Sequence, residues 1–388
     1  VSAKEKIMRY VLLCWILVIT LACQSNQKNE TTQQVESSTA LTKTTVQYAS
    51  HFTVKYQADY KHLTVFPKGK SKGEKIEYAL IPHGGKAPQG FKPAYIIEIP
   101  IRSGVFLSHT QLACLQALGL ADKIAGVNET AYLPDEQLLA QIKAGKIKDV
   151  GTGGALNEEV ILAMHPDIVM LGGAGGEDKL KALSNAGIKL VVNIDWLENK
   201  PLGFTEWLKF MAVFFDKEAE ATQLVEEIAK KYETIRSLAQ KATQKPKVLL
   251  NLPYKGTWYV PGGDSYIAQL LRDAYAEYAW YHEKNTGSLP LDLEAVYPHA
   301  MQADFWLNLG ICRTKAEVLT TDNRFKDFPV VKNNKLYNYT HKITDKGGNE
   351  YLMTAILNPH QTLADIVKIL HPELLPNHEL YYYQPITP

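Results

Sequence analysis

Two stretches of this sequence set carboxylates at matching places in its two halves. Asn157 is followed two residues later by Glu159, and Asp292 two residues later by Glu294. In each half an apolar segment follows, and then an apolar strand introduced by an aspartate, Asp167 in the first and Asp304 in the second. Asn and Asp are favoured helix caps, and a carboxylate in the first turn answers the helix dipole, so neither glutamate needs a partner on this ground alone. The repetition offers one first-turn carboxylate in each half of the chain.

A second set of residues could meet a ligand directly. In open α/β units, ligand groups stand on loops beyond the carboxyl ends of strands. Tyr132 follows the apolar run Ile124–Val127, and Trp196 follows 190–194. Trp258 and Tyr259 follow 247–252, Arg313 follows 303–309, and His341 follows 336–339. Each ring taken singly reads as packing. Taken together they describe an aromatic, sparsely charged cleft suited to a large flat or greasy chelate. Trp280, Tyr281 and His282 form a further aromatic cluster to which the sequence gives no place.

Other chemistries are poorly served. The 11 histidines show no paired spacing on one helix face, and neither a CxxC nor an HxxxH occurs. A free-metal cage needs three or four converging ligands, so His109, His165 and His299 read as single residues. The run Ile168–Leu171 enters the glycines 172, 173, 175 and 176, with Asp195 closing the next strand, which is the outline of a dinucleotide turn. The third glycine of that motif is missing, however, and Asp178 there repels a pyrophosphate. No Gly-x-Ser-x-Gly elbow is present. No catalytic residue is assigned, and an enzyme is not expected.

Stepping from these residues to the elements that must hold them, short apolar strands alternate with helical segments from Tyr95 onward. Ile124–Val127, Ile168–Leu171 and 190–194 are strands of a first series, with helices over 111–120 and 179–186. A second series begins at Lys247 and continues through 303–309 and 336–339. Alternation of this kind predicts an α/β fold with mainly parallel sheets. Tyr48 to Ile81 reads instead as a β-rich opening of hairpins. Between the two series, Phe204 to Ala242 contains neither Gly nor Pro and carries two helical stripes, from Trp207 to Phe215 and from Leu224 to Leu238, with Asp216 as a cap between them. Its position predicts a long linking helix.

The 388 residues include 46% apolar types, enough for two domains, and 42 Lys and Arg against 41 Asp and Glu, a balance that gives no electrostatic case for nucleic acid. Lys4, Lys6 and Arg9 precede an uncharged apolar run from Tyr10 to Ala22 that ends at Cys23. This is the form of a secretory signal, too short to span a bilayer. The start of that signal is read either at Val1 or at Met8. After Cys23 the chain turns polar at once, with no apolar residue until Val35. Residues 1–22 are expected to be removed, and 23–45 to form a polar tether without the apolar surface to fold. Cys14 would leave with the signal, and Cys114 and Cys312 are expected as two buried free thiols.

The signal with its terminal cysteine, the segment LNEEVILAMHPDIVML (156–171), the linking helix and the segment GSLPLDLEAV (287–296) together resemble the class III substrate-binding proteins of ABC importers. The resemblance covers about Ala94 to Leu375. It implies two α/β lobes, 46–202 and 244–388, joined by a linking helix over 203–243, with the ligand held in the cleft between them. It implies a lipid on Cys23, a membrane-anchored periplasmic location, and a monomer that needs no cofactor of its own. The transported ligand would be a ferric siderophore, with cobalamin and haem as the alternatives, and Tyr132 falls where family members stack a corrin or ligate haem iron. The partner would be the permease dimer with its ATPase, on whose arginine pockets Glu159 and Glu294 would dock. The chain departs from the family in its β-rich opening and in Thr20, which replaces the leucine usual three residues before the lipidated cysteine.

Overall fold

The computed structural model describes residues 43–68, 73–152, 155–176 and 180–387. Cys23 and the expected signal and most of the tether lie outside them, as do Glu177, Asp178 and Lys179. The opening is β-rich, as its alternating pattern predicts. Strands β1 (Phe52–Tyr56), β2 (Lys61–Val65) and β3 (Ile76–Pro82) pair antiparallel, and β4 (Ile96–Ile99) adds parallel to β3. Phe52 enters the core against Trp207 and Phe210, with ring centroids 4.9 and 5.5 Å away. The Tyr78 hydroxyl accepts the Val192 backbone N–H at 2.9 Å and so ties this sheet to the next.

The second sheet contains β5 (Gly104–Phe106), β6 (Ile124–Val127) and β7 (Lys148–Asp149). After a short ribbon of β8 (Gly151–Thr152) and β9 (Ala155–Leu156) it adds β10 (Ile168–Leu171) and β11 (Lys189–Val192). Their lateral order is β11-β10-β5-β6-β7, every pair parallel. All four residues of β10 are buried, the signature of a strand covered on both faces. The third sheet runs β12 (Val248–Leu250), β15 (Phe305–Leu307), β16 (Leu336–Asn338) and β17 (Gln384–Pro385), parallel except for its last pair. Strands β13 (Trp258–Pro261) and β14 (Ser288–Leu291) form a separate antiparallel ribbon. Each parallel sheet has its own apolar core.

The expected linking helix is corrected in its first half. Residues 201–216 form two short helices, Pro201–Thr205 and Trp207–Ala212, and a turn that ends on Asp216 in the left-handed region (φ 54°). Trp207, Phe210, Met211, Phe214 and Phe215 belong wholly to the first core. Asp216 is no cap. It accepts from the buried Lys61 Nζ at 2.7 Å, and Lys61 also bonds the Val213 carbonyl at 3.0 Å and pairs with Glu218. A β2 lysine therefore fixes the corner where the chain turns. The link proper is Glu218–Ala239, 22 residues and roughly 33 Å long at the α-helical rise. Ala221 and Val225 pack in the first core, Ala229, Tyr232 and Ala239 in the second.

Contacts also run back across the join. Met353 and Ile356, from the helix Glu350–Thr354 and the turn after it, pack in the first core, and the Thr205 hydroxyl donates to the Ile356 carbonyl at 2.5 Å. Cys114 is buried and Cys312 only half-buried, both without a disulfide, so the expectation of two buried thiols holds for one. Among the described residues no helix is long and apolar enough to cross a membrane.

Candidate functional site

Parallel strands deliver their following loops to one edge of a sheet. In the first half these loops carry Leu107 after β5, Asn128 after β6 and Gly172 with Gly173 after β10. Together with Ala155 and Leu156 of β9 and the half-buried Glu158 they enclose a cavity of about 520 Å³. Trp196, on the loop after β11, is 62% exposed, and its indole N–H donates to the Gly172 carbonyl at 3.2 Å, which pins the ring beside the cavity.

Beneath Trp196 lies Asp195, nearly inaccessible, which accepts the Thr110 hydroxyl at 2.6 Å. Burial pushes its carboxyl up from 3.8 to about 6, against the opposing hydrogen bonds of Thr110 and the Trp196 backbone. An acid sequestered in this way is not offered to a ribose, so the dinucleotide outline at Gly172–Gly176 loses its second element.

Tyr132 ends a single helical turn, Thr130–Tyr132, that starts from Glu129 in the left-handed region (φ 53°). The ring is 54% exposed. This loop meets the segment after β16: a Cβ on Gly348 would stand 2.7 Å from the Tyr132 carbonyl oxygen, so only glycine allows the two halves to approach so closely here. On the same side of the third sheet, His341 is exposed, and its Nδ1 lies 2.9 Å from the Leu380 carbonyl. A carbonyl only accepts, so Nδ1 is the donor in this contact. Arg313 is exposed; its backbone N–H donates to Glu317 at 2.6 Å and its carbonyl accepts from Thr387.

Trp258 is a correction. It is 0% exposed, its indole N–H donates to the Leu250 carbonyl at 2.9 Å, and it stacks on Trp306 with centroids 5.6 Å apart. Successive residues of a strand face opposite sides, so in β13 Trp258 and Val260 point into the second core while Tyr259, 45% exposed, points out. Only Tyr259 of this adjacent pair is available to a ligand. Trp280 is likewise packed, edge-on against Tyr278.

The two glutamates occupy matching positions. The Asn157 side chain caps the helix Glu158–Met164 by accepting from Val160 N–H at 3.1 Å, and Asp292 caps Leu293–Ala300 by accepting from Ala295 N–H at 2.8 Å. Glu159 is exposed. The Glu294 side chain is 73% exposed and lies 3.4 Å from Arg324, a surface pair that contributes little to stability. Glu158 and Asn128, which line the cavity, are not among the residues that the sequence singles out. Their signal was present in the loop positions, but Glu158 stands beside the better-capping Asn157 and the more exposed Glu159.

A family model described as periplasmic binding protein matches residues 105–342. An uncharacterized lipoprotein of Methanocaldococcus jannaschii is 24% identical over 300 residues, covering 74% of this chain and 69% of its own length. Among solved structures, a possible iron-binding periplasmic solute-binding protein of Staphylococcus epidermidis superposes with a TM-score of 0.55 at 19% identity, over 70% of this chain and 99% of that one. A periplasmic heme binding protein of Pseudomonas aeruginosa gives a TM-score of 0.55 at 20% identity, over 74% and 99%. These likenesses match the two-lobed α/β architecture described above.

Proposed function

We propose, from the premise that this chain belongs to the periplasmic binding protein family, that it is the substrate-binding lipoprotein of an ABC importer, capturing a metal chelate between lobes 46–202 and 244–388 and delivering it to the permease. The family is one of solute-binding proteins, and no catalytic step is assigned. The observation that carries the chelate reading is the pair of large rings Tyr132 and Trp196, 54% and 62% exposed on loops at strand ends, with Trp196 held at the cavity by the Gly172 carbonyl. Rings of that size left in solvent at a concave site suit a flat or apolar partner. The lipoprotein name of the Methanocaldococcus jannaschii relative supports a lipid on Cys23 and an anchored, periplasmic position.

A ferric siderophore is the first ligand of this reading, with cobalamin the alternative that stacking rings would serve. Haem is favoured by a separate observation: Tyr132 and His341 are both exposed, and a phenol and an imidazole are both iron ligands, with Nδ1 of His341 engaged by the Leu380 carbonyl and Nε2 pointing elsewhere. The purified protein, mixed with each chelate in turn and freed of excess, is to be read by visible absorption. A ferric charge-transfer band retained with the protein supports the siderophore, a corrin spectrum cobalamin, and a Soret band haem. Retention of none of the three rejects the chelate-binding function.

A further inference from the structure

We propose that Glu158 sets the polarity of ligand accepted by the first half of the cleft, selecting a chelate with a cationic or hydrogen-bond-donating arm over an anionic one. The inference rests on the chelate-binding function proposed above and adds to it the chemical class of the group bound. Glu158 is the sole ionisable side chain among the described residues lining the 520 Å³ cavity, whose other walls are apolar side chains, glycines and Asn128. Among the described residues that line it, no lysine or arginine would balance an anion.

The place of Glu158 in a first helical turn answers the helix dipole, but it does not account for an oxygen left unpartnered. Asn157 already caps the helix that Glu158 begins, and the Oε2 of Glu158 is shut off from water with no hydrogen-bond partner. A carboxylate with one oxygen already unpartnered is costly to leave without a counter-group, and an N–H or ammonium group entering the cavity that Glu158 lines would offset that cost from the accessible side of the side chain. Two further features fit a donor. Trp196 is held on the Gly172 carbonyl at the same wall, where its indole face can receive a cation. The buried Asn128 amide both donates and accepts, as suits an amide-bearing arm. At Gly173 a Cβ would meet nothing within 4 Å, so the approach is open.

The test uses the full chain and three probes: a ferric trihydroxamate with a free ammonium arm, the same chelate with that amine acetylated, and a trianionic ferric tris-catecholate. Wild type is expected to bind the ammonium form at least tenfold more tightly than the tris-catecholate, with the acetylated form between them. Glu158→Gln, which keeps the side-chain shape, is expected to weaken the ammonium form about tenfold while leaving the tris-catecholate unchanged or tighter. Tightest binding of the tris-catecholate by wild type overturns the proposal, as does an equal effect of Glu158→Gln on every probe. The wild-type ranking does not depend on how the variant folds. If wild type binds none of these probes, nor haem, nor cobalamin, it is the chelate-binding function that fails.

Discussion

Asp195 shows how a single side chain beside the cleft links stability to pH. Its folded-state pKa of about 6 lies above the ordinary 3.8 because burial disfavours the charged form. The folded protein therefore holds this proton more tightly than the unfolded chain does. Stability from this group falls as pH rises between about 4 and 6, and the deficit is complete above that window. Asp195→Asn keeps an acceptor for Thr110 and removes the charge. It is expected to raise stability at pH 7 by up to about 3 kcal/mol, at 1.36 kcal/mol per pKa unit, and to change little at pH 3.5, as read from urea midpoints at the two pH values. A gain that persists at pH 3.5 would show that charge is not its cause. The aromatic residues divide in the same terms. Trp258→Ala is expected to cost about 3–5 kcal/mol as a core truncation. Trp196→Ala should barely move the melting temperature and should weaken chelate binding. Denaturation and binding titrations on both variants check the division, and a large loss of stability in the Trp196 variant would contradict it.

The short segment 47–51 is held by two carboxylates from the other side of the first lobe. Buried Glu206 accepts the N–H groups of Gln47, Tyr48 and Ala49 at 2.6–3.0 Å, and Lys209 Nζ at 2.9 Å. Glu198 accepts from Ser50 and His51 N–H at 2.8–2.9 Å and from the Trp207 indole at 3.2 Å. Both glutamates stand just ahead of the linking helix, so the strand-rich opening is fastened at the base of the strut. Glu206→Ala strands three N–H groups and a buried ammonium. The expected cost is about 3–5 kcal/mol, with rapid hydrogen exchange at Gln47–Ala49; retained protection there would mean that the strap is held by packing alone. Burial alone would raise the Glu198 carboxyl, but the His51 ring and the backbone N–H groups of Ser50 and His51 outweigh it and hold the carboxyl below its usual range. Its stabilisation is therefore present above the unfolded carboxylate range and is lost as pH falls through the lowered folded value.

Across the whole molecule, one helix shared by both cores and the return contacts of Met353 and Ile356 leave little freedom for the lobes to separate. X-ray scattering profiles with and without chelate are expected to be nearly identical, and a large compaction would refute a stiff link. In the proposed delivery to a permease, the exposed Glu159 and Glu294 would be two fixed docking points, one on each lobe. A first-turn carboxylate is worth roughly 0.3–1 kcal/mol to its helix, so neither should matter much for folding, whereas desolvation against arginine pockets would form charge-assisted bonds. Glu159→Ala combined with Glu294→Ala is expected to keep chelate affinity and abolish stimulation of the permease ATPase. Each single variant should show an intermediate loss, and high salt should weaken the wild-type complex. Normal stimulation by the double variant would reduce both residues to helix caps.

Local signals were legible in the sequence. The buried runs Ile124–Val127 and Ile168–Leu171 are the strands β6 and β10 to the residue, because a strand covered on both faces must be apolar throughout. Asn157 and Asp292 cap the helices that they precede, since a cap depends only on the next three residues. Three features rested on partners distant in the chain. The stripe from Trp207 to Phe215 has helical spacing, yet the helix stops at a corner that Lys61 fixes from a strand some 150 residues earlier. Strand alternation required Trp258 and Tyr259 to part company, but the packing of Trp306 and Phe325 decided which ring went inside. Glu158 and Glu159 lie about 100° apart around one helix. Their sequence is nearly symmetric, and only the placement of that helix against the loops after β5, β6 and β10 turned one acid toward the cavity and left the other in solvent.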